Sequence, residues 1–234
     1  MDRVPRKPVE HQQVYQDHAA AYDRLVQRED YRGNIPRILQ EVVDWHGRTV
    51  LELGAGTGRL TRMVAPWVDA VYAFDLSPAM LRLAAAALQG QMGWLTAAAD
   101  HRALPLPDKS VDIVLAGWTI CYMVTWYPNR WQPELAPALA EMERVLRPGG
   151  QIILLETMGT GYETPQPPDK LRPYYDYLQT AGFHSQWFRT DYQFASPEEA
   201  RQLTTFFFGP ELAEQFEGQT CLPECTGVFS RVVK

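Results

Sequence analysis

The chain has 234 residues, of which 46% are hydrophobic and 21% are charged, and its formal net charge is −6. This length and apolar content suit one large domain with a buried core. The negative charge argues against a general nucleic-acid or anionic-membrane binder, because such proteins present basic surfaces. No apolar run approaches the ~18 residues of a membrane span, and the first residues lack the apolar core of a secretory signal.

The chain has three cysteines, Cys121, Cys221 and Cys225. An odd number in a chain of this length favours a reducing compartment, so we expect a cytoplasmic protein. Cys221 and Cys225 have C-x3-C spacing, but no histidine lies near them in the sequence, and a structural zinc site needs four ligands. We therefore predict no metal site.

The first part of the chain alternates helix-like and strand-like segments. Apolar residues at helical spacing predict a helix over 34–45, and a short apolar run predicts a strand over 49–53. Residues 60–67 follow three glycines and are predicted to be helical. A second strand at 70–74 leads to Ser77, a residue type that favours the start of a helix.

The same alternation continues through the middle of the chain. Strands are predicted over 94–99 and 111–116, followed by a helix whose apolar face extends over 135–146. The sequence RPGG ends that helix, because proline cannot extend it and glycine permits the turn. A strand over 151–156 follows. Strands that alternate with helices predict a largely parallel sheet with helices on both faces.

After Glu156 the pattern changes. Residues 158–173 are rich in glycine and proline and are predicted to form a loop. A helix over 171–181, a strand within 184–194, a helix that starts at Ser196 and a closing strand over 226–234 follow. Glu199 stands at the capping-box position of the helix that starts at Ser196. We interpret this part as completing the same domain, with insertions.

Three glycines, Gly54, Gly56 and Gly58, lie between the first strand and its helix in the segment VLELGAGTGRLT. Ligands of open parallel sheets bind beyond the carboxyl ends of the strands, and a bare backbone lets them approach closely. A tight turn without a ligand is the alternative, but one glycine would suffice for it. A dinucleotide fingerprint, G-x-G-x-x-G, would place its third glycine where this chain has Arg59.

The segment ELGAGTG, which follows a predicted strand, resembles motif I of the class I S-adenosylmethionine-dependent methyltransferases. AFDLSPAML, AAADHRALPLPDKSVDIVLAG and EMERVLRPGGQIILLE resemble later segments of that family in the same order, so the resemblance covers about 48–156. It implies an α/β Rossmann-like three-layer sandwich. Its sheet would have seven mostly parallel strands, with an antiparallel last strand and helices on both faces.

The resemblance also implies how the chain is organised. Residues 1–234 would form a single methyltransferase domain, with an N-terminal cap helix at about 10–30 and a cofactor-binding core at about 34–156. Residues from about 157 to 234 would supply acceptor-side insertions and complete the sheet. Tyr15, His18 and Tyr22 would face the site from the cap helix; a surface helix that packs its tyrosines is the alternative.

The implied cofactor is S-adenosylmethionine. Asp75 would hold the two ribose hydroxyls, because a carboxylate offers two acceptor oxygens, and Asp100 would accept from the adenine amino group. Each acid also has an interpretation without a ligand. Asp75 could cap the next helix, Asp100 could form an Asx turn, and Glu52 could be an ordinary acid at a strand end. The predicted cofactor residues are Glu52, Gly54, Ala55, Gly56, Gly58, Asp75, Leu76, Ala99, Asp100, His101, Gly117 and Trp118.

Aromatic residues after the fourth strand suggest an acceptor pocket. Aromatic faces can hold a cationic sulfonium, although aromatic clusters more often belong to a core. The predicted acceptor-pocket residues are Tyr22, Thr119, Tyr122 and Tyr162, and further candidates are Trp126, Tyr127, Trp131, Glu156 and Thr157. We assign no catalytic base.

The resemblance predicts a methyltransferase that acts on an oxygen or nitrogen atom of a small molecule, mainly by proximity and orientation. A non-catalytic S-adenosylmethionine-binding module is one alternative. An NAD(P)-dependent oxidoreductase is another, which Arg59 disfavours. Enzymes of this family that methylate amino groups of bases carry an NPPY-like segment after the fourth strand, where this chain has GWTI, so such a substrate is not expected. The acidic net charge also argues against an RNA substrate. We expect no membrane partner.

Overall fold

A computed structural model describes residues 11–234. The expectation about a secretory signal concerns the first residues, most of which lie outside this range. Seven strands form one sheet in the order β3-β2-β1-β4-β5-β9-β6, and two short strands, β7 and β8, pair separately. The strands are β1 Thr49–Leu53, β2 Ala70–Asp75, β3 Trp94–Ala98, β4 Val111–Gly117, β5 Leu146–Thr160, β6 His184–Arg189, β7 Tyr192–Gln193, β8 Cys221–Leu222 and β9 Glu224–Val232.

Five strands of the large sheet, β1 to β5, pair in parallel. The last strand, β9, lies between β5 and β6 and pairs antiparallel with both. This topology confirms the predicted fold class. Because the order reverses between β1 and β4, the carboxyl ends of β1, β2 and β4 meet at the place where open α/β sheets bind ligands.

Helices cover both faces of the sheet. They are α1 His11–Asp17, α2 Ala19–Val26, α3 Asn34–Val42, α4 Arg59–Val64, α5 Pro78–Ala87, α6 Tyr122–Trp126, α7 Trp131–Val145, α8 Arg172–Thr180, α9 Pro197–Phe208 and α10 Pro210–Gln215. None of those between residues 11 and 234 combines the length and the apolar character that crossing a membrane requires.

The core lies in two layers, one on each face of the sheet. Side chains alternate between faces along β1, so that Leu51 and Leu53 pack in one layer and Val50 in the other, all fully buried. Both faces are covered, which explains why these strands are nearly continuous apolar runs. This burial holds β1 and the loop that follows it in place.

Several predicted boundaries are wrong. The helix predicted over 34–45 ends at Val42, and β5 continues to Thr160, into the segment predicted to be a loop. The pair β7–β8 was not predicted, because two-residue strands have no periodicity to detect. The predicted cap helix consists of two helices, α1 and α2, which meet at His18.

Candidate active site

The glycine loop joins β1 to α4 with all three glycines at positive φ: 65° at Gly54, 56° at Gly56 and 80° at Gly58. A Cβ atom on Gly54 would lie 2.2 Å from Thr119 Oγ1, and one on Gly58 would lie 3.1 Å from Ala84 Cβ. Gly56 is different, because a Cβ atom there would have no neighbour nearer than 3.9 Å. Two of these glycines therefore allow close packing, while Gly56 leaves space beside the loop.

Asp75 ends β2 beside this loop. Its Oδ2 accepts a hydrogen bond from Gly56 N at 2.9 Å, and its Oδ1 accepts one from Ser77 N at 2.7 Å. Burial raises the pKa of Asp75, and these two hydrogen bonds oppose that rise. The Ser77 hydroxyl, rather than Asp75, caps α5 by accepting from Met80 N. Asp75 is thus held at the loop and is not used as the helix cap.

A cavity of about 480 Å³ lies between the glycine loop, the end of β4 and helices α1 and α2. Its volume is in the range of small-molecule and cofactor sites. The predicted residues that line it are Tyr22, Gly54, Gly56, Asp75, Leu76, His101, Gly117, Trp118, Thr119 and Tyr122. Sequence reasoning missed Gln16, Pro78 and Met80, which also line it; the latter two follow Asp75 closely in the chain.

Three predicted cofactor residues do not line this cavity because they lie beneath or behind the loop. Glu52 is buried, and one of its carboxylate oxygens accepts a hydrogen bond from the Thr61 hydroxyl. Burial raises the pKa of Glu52 to about 8. Glu52 and Ala55 line a small hollow of about 30 Å³ under the loop, while Gly58 packs on α5.

The segment after β3 places His101, rather than Asp100, at the cavity. Asp100 Oδ1 accepts from Arg102 N at 2.8 Å, which is the Asx turn left open as the alternative, and its carboxylate also forms an ion pair with Arg102. The hydrogen bond from Arg102 holds the pKa of Asp100 below its usual value. Burial lowers the pKa of His101 to about 4, so its ring is neutral. Ala99 is buried and does not line the cavity.

Helices α1 and α2 cover the cavity with aromatic side chains. The hydroxyl groups of Tyr15 and Tyr122 lie 2.6 Å apart in a hydrogen bond, and the rings of Tyr15 and Tyr22 meet edge to face at 5.3 Å. Ser77 Oγ donates a hydrogen bond to the Tyr15 carbonyl oxygen. Tyr15 and Tyr22 thus face the cavity, whereas His18 packs against Phe206. Through Phe206, α9 packs against the two helices that cover the cavity.

Arg59 connects the glycine loop to the segment after α2. Its guanidinium lies 4.1 Å from the centre of the Trp118 ring and forms an ion pair with Glu29. Trp118 itself has a positive φ of 49°, which is unusual for a residue with a side chain. The sequence identified Arg59 only as a departure from the dinucleotide fingerprint. Its partner lies 30 residues away, and no local pattern pointed to the pair.

A second cavity of about 400 Å³ adjoins the first, and Tyr15, Tyr22, Trp118 and Tyr122 line both. Its other residues come from distant parts of the chain, including Leu25, Tyr192, Phe207, Phe208 and Glu224. Thr157, a candidate from the sequence, lines this cavity. Glu156 lies behind it, fully buried, where it accepts hydrogen bonds from Cys121 N and the Tyr174 hydroxyl.

Of the remaining aromatic candidates from the sequence, one lines the first cavity and the others lie at the surface or against the core. Trp126 lines the first cavity and stacks on Tyr122. Tyr162 lines neither cavity, and its side chain is about half exposed. Tyr127 lies under the Arg130 guanidinium, and Trp131 packs against the core. The structure therefore does not bring Tyr162 together with the other predicted acceptor residues.

A sheet in this order, with a glycine loop and an acid at the carboxyl ends of β1 and β2, defines a Rossmann-like nucleotide-binding protein. Residues 51–154 match the family model for a methyltransferase domain. Comparison with solved structures shows the same fold in an S-adenosylmethionine-dependent methyltransferase from Aquifex aeolicus, with a TM-score of 0.57, 19% identity and coverage of 85% of this chain and 89% of that one.

Two curated relatives add sequence similarity. An uncharacterized methyltransferase of Geobacillus kaustophilus is 31% identical over 62% of this chain and 65% of its own length. A malonyl-[acyl-carrier protein] O-methyltransferase of Serratia marcescens is 36% identical over 49% of this chain and 40% of its own. The chain thus spans less than two thirds of the length of these relatives. These similarities confirm the resemblance of residues 51–154 to the class I S-adenosylmethionine-dependent methyltransferases, a family whose cofactor is S-adenosylmethionine.

Proposed function

We propose that this protein transfers a methyl group from S-adenosylmethionine to an oxygen or nitrogen atom of a small molecule. The first cavity would hold the cofactor and the second would hold the acceptor. The observation that supports this proposal best is that the two cavities share a wall of four aromatic residues. A shared wall can align a donor with an acceptor, and alignment accounts for most of what this reaction requires of the protein.

The residues present at the first cavity fit the cofactor. Asp75 offers carboxylate oxygens to the ribose hydroxyls, and Gly56 leaves room for close approach. Leu76 and neutral His101 would lie against the adenine, while Gly54, Gly117 and Thr119 would border the methionine part. When bound, S-adenosylmethionine supplies an already activated methyl group. The chain's own contribution is to orient the partners and to exclude water beneath α1 and α2.

The size and setting of the second cavity favour a small acceptor over a macromolecule. Its volume of about 400 Å³ suits a small molecule, and it lies under α2 and α9. We further propose that residues 1–234 act as a single methyltransferase domain. The thiols of Cys121, Cys221 and Cys225 are all free, which supports a reducing, cytoplasmic location.

Calorimetric titration with S-adenosylmethionine, and in parallel with NADH, tests the proposal. We expect heat of binding with S-adenosylmethionine only, since Arg59 stands where a dinucleotide site needs glycine. Incubation with pooled small amines and alcohols should then release S-adenosylhomocysteine. Binding without release from any pool would favour the non-catalytic binding module, and binding of NADH alone would favour the oxidoreductase.

A further inference from the structure

Two buried acidic side chains, Glu29 and Glu224, line the second cavity, and each has one oxygen atom without a hydrogen-bond partner among the described residues. Glu224, at the start of β9, is 2% exposed, and the Thr160 hydroxyl is close enough to its carboxyl group to oppose the rise of its pKa. Its Oε2 nevertheless has no hydrogen-bond partner of ordinary geometry among residues 11–234. The other oxygen, Oε1, accepts from Thr157 Oγ1 at 2.8 Å. Glu29 similarly has one oxygen paired with Arg59 and the other, Oε1, without a partner in the same part of the chain.

Burying a carboxylate without a full set of partners is costly, so proteins retain one only where something compensates. The charges that line this cavity are those of Glu29, Arg59, Lys170 and Glu224. Arg59 is already paired with Glu29, and Lys170 is exposed at the rim. Among the described residues that line the cavity, Glu224 therefore has no cationic partner, and burial raises its pKa to about 8. A ligand that brings a positive charge or N–H groups would stabilise its ionised form.

The rest of the lining selects for an apolar body. The same cavity is lined by Leu25, Leu171, Tyr192, Phe207 and Phe208. Aromatic rings attract a nearby cation through their faces, which adds to the attraction of a carboxylate. By contrast, a carboxylate or phosphate ligand would bring a negative charge that opposes the ionisation of Glu224, while Arg59, the buried cation of the described lining, is already neutralised by Glu29. Such ligands are disfavoured.

On the basis of the proposed function, we propose that the methyl acceptor is an apolar amine, whose nitrogen is received by the free oxygens of Glu224 and Glu29 in the second cavity. One N–H proton would pass to the Glu224 carboxylate, which leaves the nitrogen with the lone pair that accepts the methyl group as the bond from that group to sulfur breaks. An amine matches this site because its nitrogen can donate several hydrogen bonds at once, one to each free carboxylate oxygen. A hydroxyl group has a single hydrogen to donate and would leave one of the two oxygens without a partner.

Calorimetry with three probes of similar shape tests this inference: phenethylamine, phenethyl alcohol and hydrocinnamate, each with the wild-type protein. We expect the amine to bind at least ~10-fold more tightly than the alcohol and hydrocinnamate to bind most weakly. Glu224→Gln keeps the shape of the side chain but can neither carry a negative charge nor take up a proton, and should abolish the preference for the amine. Glu217→Gln, an exposed change outside both cavities, is the matched control and should keep it.

Equal binding of amine and alcohol, binding of none of the probes, or an amine preference that persists in Glu224→Gln would each overturn the inference. The ranking of the three probes on the wild-type protein remains decisive even if Glu224→Gln does not fold. S-adenosylmethionine is titrated separately. Its failure to bind would contradict the proposed function, whereas loss of amine selectivity alone contradicts only the identity of the acceptor.

Discussion

The two cavities are built in different ways. The first is formed mainly by residues close in sequence to the ends of β1, β2 and β4, with backbone and short side chains at its centre. The second combines α2, the segment after β5, α9 and the start of β9, which are separated by up to about 200 residues. Long aromatic and charged side chains form most of its wall.

This difference separates a site that one short loop determines from a site that depends on how distant elements pack. A glycine loop determines a site locally, because its backbone conformation depends on a few adjacent residues. A site assembled from side chains on distant elements depends on how those elements pack. The first cavity can therefore keep one cofactor, while changes in α2, α9 or β9 can reshape the second without disturbing the sheet.

Arg59→Ala should have the largest effect, because Arg59 joins the two regions. Its loss leaves Glu29 buried without a cation and removes the contact with Trp118, so we expect a cost of about 3–5 kcal/mol in the free energy of unfolding. Urea unfolding measures it. Arg37→Ala breaks an exposed pair and should cost less than about 1 kcal/mol. A similar cost for both changes would show that the two regions are not coupled through Arg59.

Substitution of two glycines compares positions within the cofactor loop. Gly54→Ala combines a positive φ with a clash against Thr119 and should cost about 2–4 kcal/mol, and Thr119→Gly in the same protein should restore part of it. Gly56→Ala has space for its Cβ atom and should cost about 1–2 kcal/mol. Equal losses of stability in urea would contradict the assignment of Gly54 to packing and Gly56 to the cavity.

Asp75→Asn should weaken S-adenosylmethionine binding ~10–100-fold in calorimetry, because hydrogen bonds to a charged oxygen are lost. Asp69→Asn, an exposed change just before the same strand, is the control.

Asp100→Asn tests whether Asp100 pairs with Arg102, as in the structure, or contacts the adenine, as the family resemblance implies. Since Asp100 is engaged by Arg102, we expect less than ~3-fold weakening. A loss as large as that of Asp75→Asn would favour the adenine contact implied by the family resemblance.

Glu156→Gln should change the pH dependence of stability rather than binding. Burial raises the pKa of Glu156 from 4.5 to about 7, so the folded protein holds a proton that the unfolded chain has released. Stability therefore falls as the pH rises through this window. The change should remove about 1–3 kcal/mol of that fall, measured by thermal melts at several pH values. Glu217→Gln should leave the slope unchanged, and an unaltered slope in Glu156→Gln would contradict the prediction.

The resemblance to a family, based on ELGAGTG and AFDLSPAML, correctly predicted the sheet topology. It also predicted Gly56 and Asp75 as cofactor residues, and the structure has both of them at the first cavity. The resemblance did not predict that the Asp100 carboxylate would pair with Arg102. Arg102 and an adenine amino group would both donate to that carboxylate, and the family pattern does not say which of them it accepts from. Tyr162 was predicted at the site on different grounds, because its loop follows the fifth strand on the same face of the sheet. The structure moves Tyr162 to the surface, since β5 extends to Thr160 and carries the following residues away.

The sequence by itself determined the alternation of strands and helices, the bare loop after β1 and the acid at the end of β2. These features depend on local periodicity and on the conformational freedom of glycine, which are properties of short segments. Only the tertiary structure decided the pairing of Arg59 with Glu29 and the placement of Glu224 beside Tyr192 and Phe208. Such contacts arise from the packing of elements far apart in the chain, and no short segment contains the information that specifies them.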